Sequence, residues 1–281
     1  MSGKETFTAD WLSLREPVDH AARSRALAKI LDQHFNPRDQ ICVTDLGAGQ
    51  GSNLRWLAPQ LNPDQSWVLI DHDIELLARA TTQIQKDPPA PKLTVEAREL
   101  DLATADLKAL TRCDLVTGSA LLDLVSGEWL ESLVEACDTN RCAAFFALSV
   151  NGIWQMIDAD GRTISTDDDR FVQTAFNQHQ LRDKGLGAAL GPAAGPALAQ
   201  AFAARSFRVD CRSSNWQLPA GHPWTQNLGP TLLAGWHQAA VEQTGEIDRI
   251  DGWLARRREE LLAGCLGIEV GHMDCLAVPL E

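Results

Sequence analysis

Short unbroken apolar runs alternate along this chain with longer stretches in which apolar residues return every three or four positions. The first pattern marks strands buried on both faces, the second marks helices packed on them by one side. Runs at 41–45, 66–70, 93–97 and 143–149 predict strands, with a sixth strand at 206–211 and a last one at 266–278. Between them, Leu54, Leu57 and Leu61, then Ile74, Leu76, Leu77 and Ala80, then Trp129, Leu130 and Leu133 predict crossover helices, and the alanine-rich stretch 192–206 predicts another. Strands alternating with helices in this way predict an α/β fold around a parallel sheet.

Three stretches depart from that rhythm. Ahead of the sheet, residues 1–40 predict a short helix that starts at Trp11 and stops before Pro17. A longer helix follows it, carrying Ala21, Ala22, Leu27, Ile30, Leu31 and Phe35. Residues 151–191 follow no regular pattern at first; Asp158, Asp160 and the triplet 167–169 read as a loop or the capped start of a helix, and 171–187 as a helix running into a glycine turn. Residues 222–264 carry two helical patterns separated by Gly245, an insertion that caps the sheet or forms a contact between copies. No internal repeat or low-complexity tail is present.

The candidate chemistry begins where the first strand ends. Asp45 is followed by Gly47, Gly49 and Gly51 and then by a helical pattern. Glycines stand there because the backbone turns sharply and approaches a ligand closely. The helix N-terminus behind them offers N–H groups. Asp71 ends the second strand about 20 residues past the loop, where an acid accepts hydrogen bonds from ribose hydroxyls, and an acid there suits NAD as well.

The third glycine arrives one residue earlier than in the dinucleotide fingerprint, and the acid precedes the first glycine by two positions. This arrangement resembles motif I of the class I S-adenosylmethionine-dependent methyltransferases. The order of the following motifs resembles that family too: Asp71, then Asp101 after the third strand, then 113–120 as the fourth-strand motif. The resemblance implies a Rossmann-like sheet, mostly parallel with an antiparallel last strand, carrying an N-terminal helical segment and helical insertions. It implies a methyltransferase domain at 41–281 under an N-terminal lid at 1–40, with insertions at 151–191 and 222–264. S-adenosylmethionine is the implied cofactor. Asp45, Gly47, Gly49, Gly51 and Asn53 of the loop, Asp71 and His72, Asp101 near the adenine with Leu102, and Ser119 beneath the methyl are the implied binding residues. Arg15, a basic residue between helical segments of the lid, is expected at the methionine carboxylate, which a guanidinium meets bidentately.

The methyl acceptor is expected between the turn after strand four and the 151–191 segment. Asn177, Asp183, Lys184 and Trp154 are its candidate binding residues, and His179 is the candidate base because its unperturbed pKa lies near neutrality. His20, Asp123 and Asp183 are further candidates for that proton. The chain lacks the N-P-P-aromatic motif of the adenine and cytosine amino-methyltransferases and the proline–cysteine pair of the C5-cytosine enzymes. A net charge of −13 argues against a nucleic-acid surface, which clusters Lys and Arg. A small polar molecule is therefore the expected acceptor. The seven cysteines, with no C-x-x-C or H-x-x-x-H spacing, read as reduced thiols of a cytoplasmic protein with no metal site, and no run is long enough to span a bilayer. An NAD-dependent oxidoreductase and an S-adenosylmethionine-binding subunit without turnover are the rival readings.

Overall fold

The computed structural model describes residues 8–280; residues 1–7 of the N-terminal segment and Glu281 lie outside them. The strands are β1 (Gln40–Leu46), β2 (Asp64–Asp71), β3 (Leu93–Glu99), β4 (Leu115–Ser119), β5 (Ala143–Ile157), β6 (Phe207–Ser213), β7 (Trp216–Leu218) and β8 (Gly267–Pro279). Across the sheet they lie in the order β3-β2-β1-β4-β5-β8-β6, with β7 also paired to β8. β1 to β5 pair in parallel, and β8 is antiparallel to β5, β6 and β7. The mostly parallel sheet with an antiparallel last strand is thus the one expected, and that last strand enters between β5 and β6.

Alternation along each strand feeds two cores. Phe145 and Ala147 of β5 join one, with α2 (Arg25–Phe35), α3 (Ser52–Leu57) and α4 (Ile74–Lys86). Ala144 and Phe146 join the other, with α5 (Leu107–Leu110), α6 (Gly127–Asn140) and α8 (Ala194–Ala203). Helices α2, α4 and α6 start at Ser24, Asp73 and Ser126, whose side chains accept from backbone N–H groups of the first turn. Such caps satisfy donors that the helix itself cannot.

Several expectations are corrected. Helix α1 (Ala9–Ala22) does not stop before Pro17 but runs through it, and the break falls at Arg23 and Ser24. A proline inside a helix forfeits one hydrogen bond and costs about 3 kcal/mol. Here Arg15 pairs with Asp19 one turn on (2.9 Å), and Glu16 pairs with Arg55 (2.7 Å), which hold the helix on both sides of the proline. Strand β5 continues eight residues past the predicted 149, to Ile157, through two register shifts against β8. Those bulges interrupt the apolar run, which is why the sequence pattern breaks there. Cys211 and Cys275, expected as reduced thiols, face each other across β6 and β8 (Cα–Cα 4.2 Å) and form a disulfide. Cys42, Cys113 and Cys142 remain free; the neighbouring Cys142 sulfur and burial push the Cys113 thiol up to about 12.

The two insertions fold together. Helix α7 (Asp167–Gln180) opens on a capping box between Thr166 and Asp169, so the aspartate triplet is a helix start. It packs on α9 (Pro223–Thr244) and α10 (Ile247–Leu262), which turn at Gly245 with φ +73°. Helix α1 also touches α9, so the N-terminal segment and the insertions form one helical cap.

Candidate active site

The loop after β1 is shaped by backbone sign. Gly47 and Gly49 adopt φ of +63° and +52°, and a Cβ at either would meet neighbours at an ordinary 3.4 Å, so conformation rather than space calls for glycine. The loop is pinned to β2: Gly49 N–H donates to Asp71 Oδ2 (2.7 Å) and Ala48 N–H to the Ile70 carbonyl (2.9 Å). Asp71 Oδ1 accepts from the Asp73 N–H (3.0 Å), which leaves each carboxylate oxygen with lone-pair capacity for a ligand hydroxyl. Helix α3 spans only six residues, so its terminus contributes little beyond these amides.

Behind the loop lies a buried polar chain. Asp45 Oδ1 accepts from Asn53 Nδ2 (2.7 Å), and Asn53 Oδ1 accepts from Arg23 Nη1 (2.9 Å). Arg23 also donates to the Ser119 hydroxyl and lies over the Trp56 ring (5.3 Å). Burial raises the Asp45 carboxyl to about 7, although Asn53 and the Arg23 charge hold it down. The chain thus ties β1, α3 and β4 to the kink between α1 and α2.

A cavity of about 180 Å³ opens in front of this loop. Gly47, Gly49 and Asn53 form its floor; Asp71, His72, Asp101 and Leu102 form the wall at the ends of β2 and β3; Ser119 stands at the end of β4. Asp101 Oδ1 accepts from the Ala103 N–H (3.0 Å), and His72 Nδ1 lies 3.3 Å from Asp71 Oδ1. Leu12, Arg15 and Asp19 of α1 close the cavity from above. The glycine loop, Asp71, His72, Asp101 and Ser119 sit at or just past C-terminal strand ends, where open α/β sheets take their ligands.

A second cavity of about 160 Å³ shares Arg15, Ala120, Leu124 and Lys184 with the first. Both volumes exceed by far the room one water needs, so these are ligand-sized chambers rather than packing gaps. Trp154 of β5, Trp216 of β7, Trp236 of α9, Phe176 of α7 and Trp11 of α1 line it, and His272 of β8 joins them. Ala120 and Leu148, at the seam, hold φ of +51° and +56°, a conformation costly for residues with a Cβ. Leu148 is held there by Asp274, whose Oδ1 accepts its N–H (2.8 Å).

The predicted residues therefore divide. Gly47, Gly49, Asn53, Asp71, His72, Asp101, Leu102, Ser119 and Arg15 line the first cavity. Asp45 and Gly51 support it from outside: Asp45 acts through Asn53, and Gly51 caps α3 with φ +79° where a Cβ would meet Ala80 at 3.1 Å. Lys184 lines both cavities and Trp154 the second. His179, Asn177 and Asp183 line neither. His179 Nε2 lies 3.0 Å from Glu242 Oε2 on α9, so the expected base is engaged between two cap helices. Asn177 donates to the Gly152 carbonyl (2.8 Å), and Asp183 accepts from the Gly185 N–H (2.7 Å) in its own turn. Sequence reasoning missed Arg23, Gln50, Trp236 and His272; the single usable signal was Arg23, a charge placed among apolar helix positions.

No family model matches this chain, and no curated protein matches it. Among solved structures, the cyclopropane synthase MmaA2 from Mycobacterium tuberculosis is similar at TM-score 0.48 and 12% identity, covering 96% of this chain and 94% of that one. A SAM-dependent methyltransferase from Geobacter sulfurreducens in complex with S-adenosyl-L-homocysteine gives TM-score 0.44 and 12% identity over 100% of both chains. Haemonchus contortus phosphoethanolamine N-methyltransferase 2, in complex with phosphomonomethylethanolamine and S-adenosylhomocysteine, gives TM-score 0.44 and 12% identity over 98% of this chain and 59% of that one.

Proposed function

We propose that this chain is an S-adenosylmethionine-dependent methyltransferase that binds its cofactor in the first cavity and a small-molecule acceptor in the second. The observation that carries the reading is the junction of the two chambers. A glycine cradle with an acid at each of two neighbouring strand ends adjoins an aromatic-walled space, and Arg15, Ala120, Leu124 and Lys184 line both.

The residues fit the cofactor. Asp71 retains acceptor capacity for the ribose, Asp101 and Leu102 stand where the adenine is expected, and Arg15 faces the methionine end from α1. The bound cofactor supplies an activated methyl on a sulfonium sulfur. The chain's own part is to position. Arg15, paired with Asp19 and stacked over Trp216 (5.0 Å), is fixed at the seam between the two ligands. Helix α1 lines both cavities, and α7 and α9 of the cap form part of the wall of the second. Holding two reactants in line is worth up to ~7–11 kcal/mol in well-oriented systems, so positioning supplies much of such a reaction. Because Asn177, His179 and Asp183 line neither cavity, the acceptor meets mainly the aromatic wall, with Gln180 and Lys184 the members of the polar cluster that reach it.

Calorimetric titration with S-adenosylhomocysteine and, separately, NADH tests the reading. S-adenosylhomocysteine binds and NADH does not, and Asp71→Ala weakens the former by about 1.5–3 kcal/mol, the value of a hydrogen bond to a charged group. Binding of NADH in its place, or of neither, removes the methyltransferase reading.

A further inference from the structure

Two residues that line the second cavity each carry a ring nitrogen with no hydrogen-bond partner among the described residues, and one of these atoms, the Trp154 indole nitrogen, is fully buried. His272 is 3% exposed, and its Nδ1 lies 3.0 Å from the Val270 carbonyl. That contact places the ring proton on Nδ1 and leaves Nε2 as an acceptor, for which the described residues provide no partner. Burial, then the charge of Arg15, lowers the imidazole to about 4, so the ring is neutral at neutral pH. Trp154 is 4% exposed, and its indole N–H is buried without a partner among the described residues. One acceptor and one donor thus stand unpartnered on residues that line one chamber. The buried donor costs about 1–3 kcal/mol when left unpaired, a cost that a ligand bearing a complementary acceptor removes.

The surrounding wall narrows the ligand further. Four of the chain's nine tryptophans, Trp11, Trp154, Trp216 and Trp236, line this cavity. Trp154 and Trp236 stack with centroids 4.2 Å apart and planes within 4°, which makes a flat slab. We propose that the chamber takes as methyl acceptor a flat heteroaromatic ring carrying both a donor and an acceptor, the donor bonding to His272 Nε2 and the acceptor to the Trp154 indole N–H; this rests on the methyltransferase reading above. An aliphatic chain leaves both atoms unpaired. A quaternary ammonium also bonds to neither, and it has no lone pair with which to accept a methyl.

The test uses the full-length protein saturated with S-adenosylhomocysteine and two probes, quinazolin-4(3H)-one and its 3-methyl derivative, read by calorimetry and ligand-observed NMR. The first carries a ring N–H and a carbonyl; the second keeps the carbonyl and has a methyl in place of the N–H hydrogen. Wild type prefers the first by about tenfold, the loss of one hydrogen bond. His272→Leu removes that preference, and His272→Gln, which keeps an acceptor, retains part of it. The wild-type comparison stands even if His272→Leu does not fold. Equal binding of the two probes, binding of neither, or binding of tetramethylammonium in their place overturns the proposal. If S-adenosylhomocysteine itself fails to bind, the methyltransferase reading fails; if it binds and the probes are not distinguished, only the acceptor class is wrong.

Discussion

Removal of the Asp169 carboxylate should loosen the helical cap more than any other single truncation in it. Asp169 is 1% exposed. It accepts from the Thr166 N–H (2.5 Å), the Trp253 indole N–H (2.7 Å) and Arg257 Nε (3.0 Å), and pairs with Arg257 Nη2 as well. In Asp169→Ala the helix start loses its capping box, about 1 kcal/mol. The Trp253 N–H is orphaned, and Arg257, itself buried, loses its main counter-charge. Breaking such a pair costs about 3–5 kcal/mol. Arg257 keeps Glu260 (2.5 Å) and the Ile164 carbonyl (3.2 Å), which puts the pair at the low end of that range. The sum is about 4 kcal/mol, or roughly 8 °C in Tm at about 2 °C per kcal/mol for a chain of this size. Thermal and urea unfolding followed by circular dichroism measure it. A double-mutant cycle with Arg257→Met should return a coupling of about 2 kcal/mol or more. Burial raises the Asp169 pKa, but Arg257 and Thr166 overcome it and hold the carboxyl below its ordinary 3.8, so its contribution is present above that value and is lost as pH falls through the lower folded pKa. A cost under about 1 kcal/mol, or an additive cycle, would refute the account of how α10 fastens α7.

Asp45 titrates with the opposite sign. Its carboxyl rises from 3.8 to about 7 in the fold, so stability falls as pH climbs between those values, and Asp45→Asn, which keeps an acceptor for Asn53, should gain about 2 kcal/mol more over wild type at pH 8 than at pH 5 in urea unfolding. Arg15→Ala should weaken S-adenosylhomocysteine about tenfold or more in calorimetry and leave adenosine, which has no carboxylate, unchanged; equal losses on both would remove Arg15 from the carboxylate. His179→Ala should leave S-adenosylhomocysteine affinity unchanged and cost less than about 1 kcal/mol of stability, because its partly exposed pair with Glu242 is of the weak surface kind. A large loss of cofactor affinity in that variant would restore His179 to the site.

The cofactor half was legible because its signals are local. A strand, a turn that demands positive φ at Gly47 and Gly49, and an acid at the next strand end are written within a few residues of one another, and a parallel βαβ unit places them together with little choice. The acceptor half is not written that way. Trp154 comes from β5, His272 from β8 and Trp236 from α9, and which of their faces meet depends on two register shifts between β5 and β8 that no period in the sequence announces. Position after the fifth strand and a near-neutral pKa point to His179, but the packing of α7 on α9 delivers it to Glu242 instead. Pro17 misled for a related reason. Its cost is intrinsic and readable, whereas the ion pairs that hold α1 around it join the helix to itself and to Arg55 of α3.

The amino-acid sequence by itself determined most of the strands and helices, the parallel core of the sheet and the glycine cradle at its switch point, since each follows from short-range periodicity and turn chemistry. The tertiary structure alone decided that two insertions and the N-terminal helices close into one cap, that Cys211 meets Cys275, and that a buried imidazole and a buried indole share a chamber. Those outcomes depend on strand register and helix packing between segments far apart in the chain, where the competing arrangements differ only once the side chains are in contact.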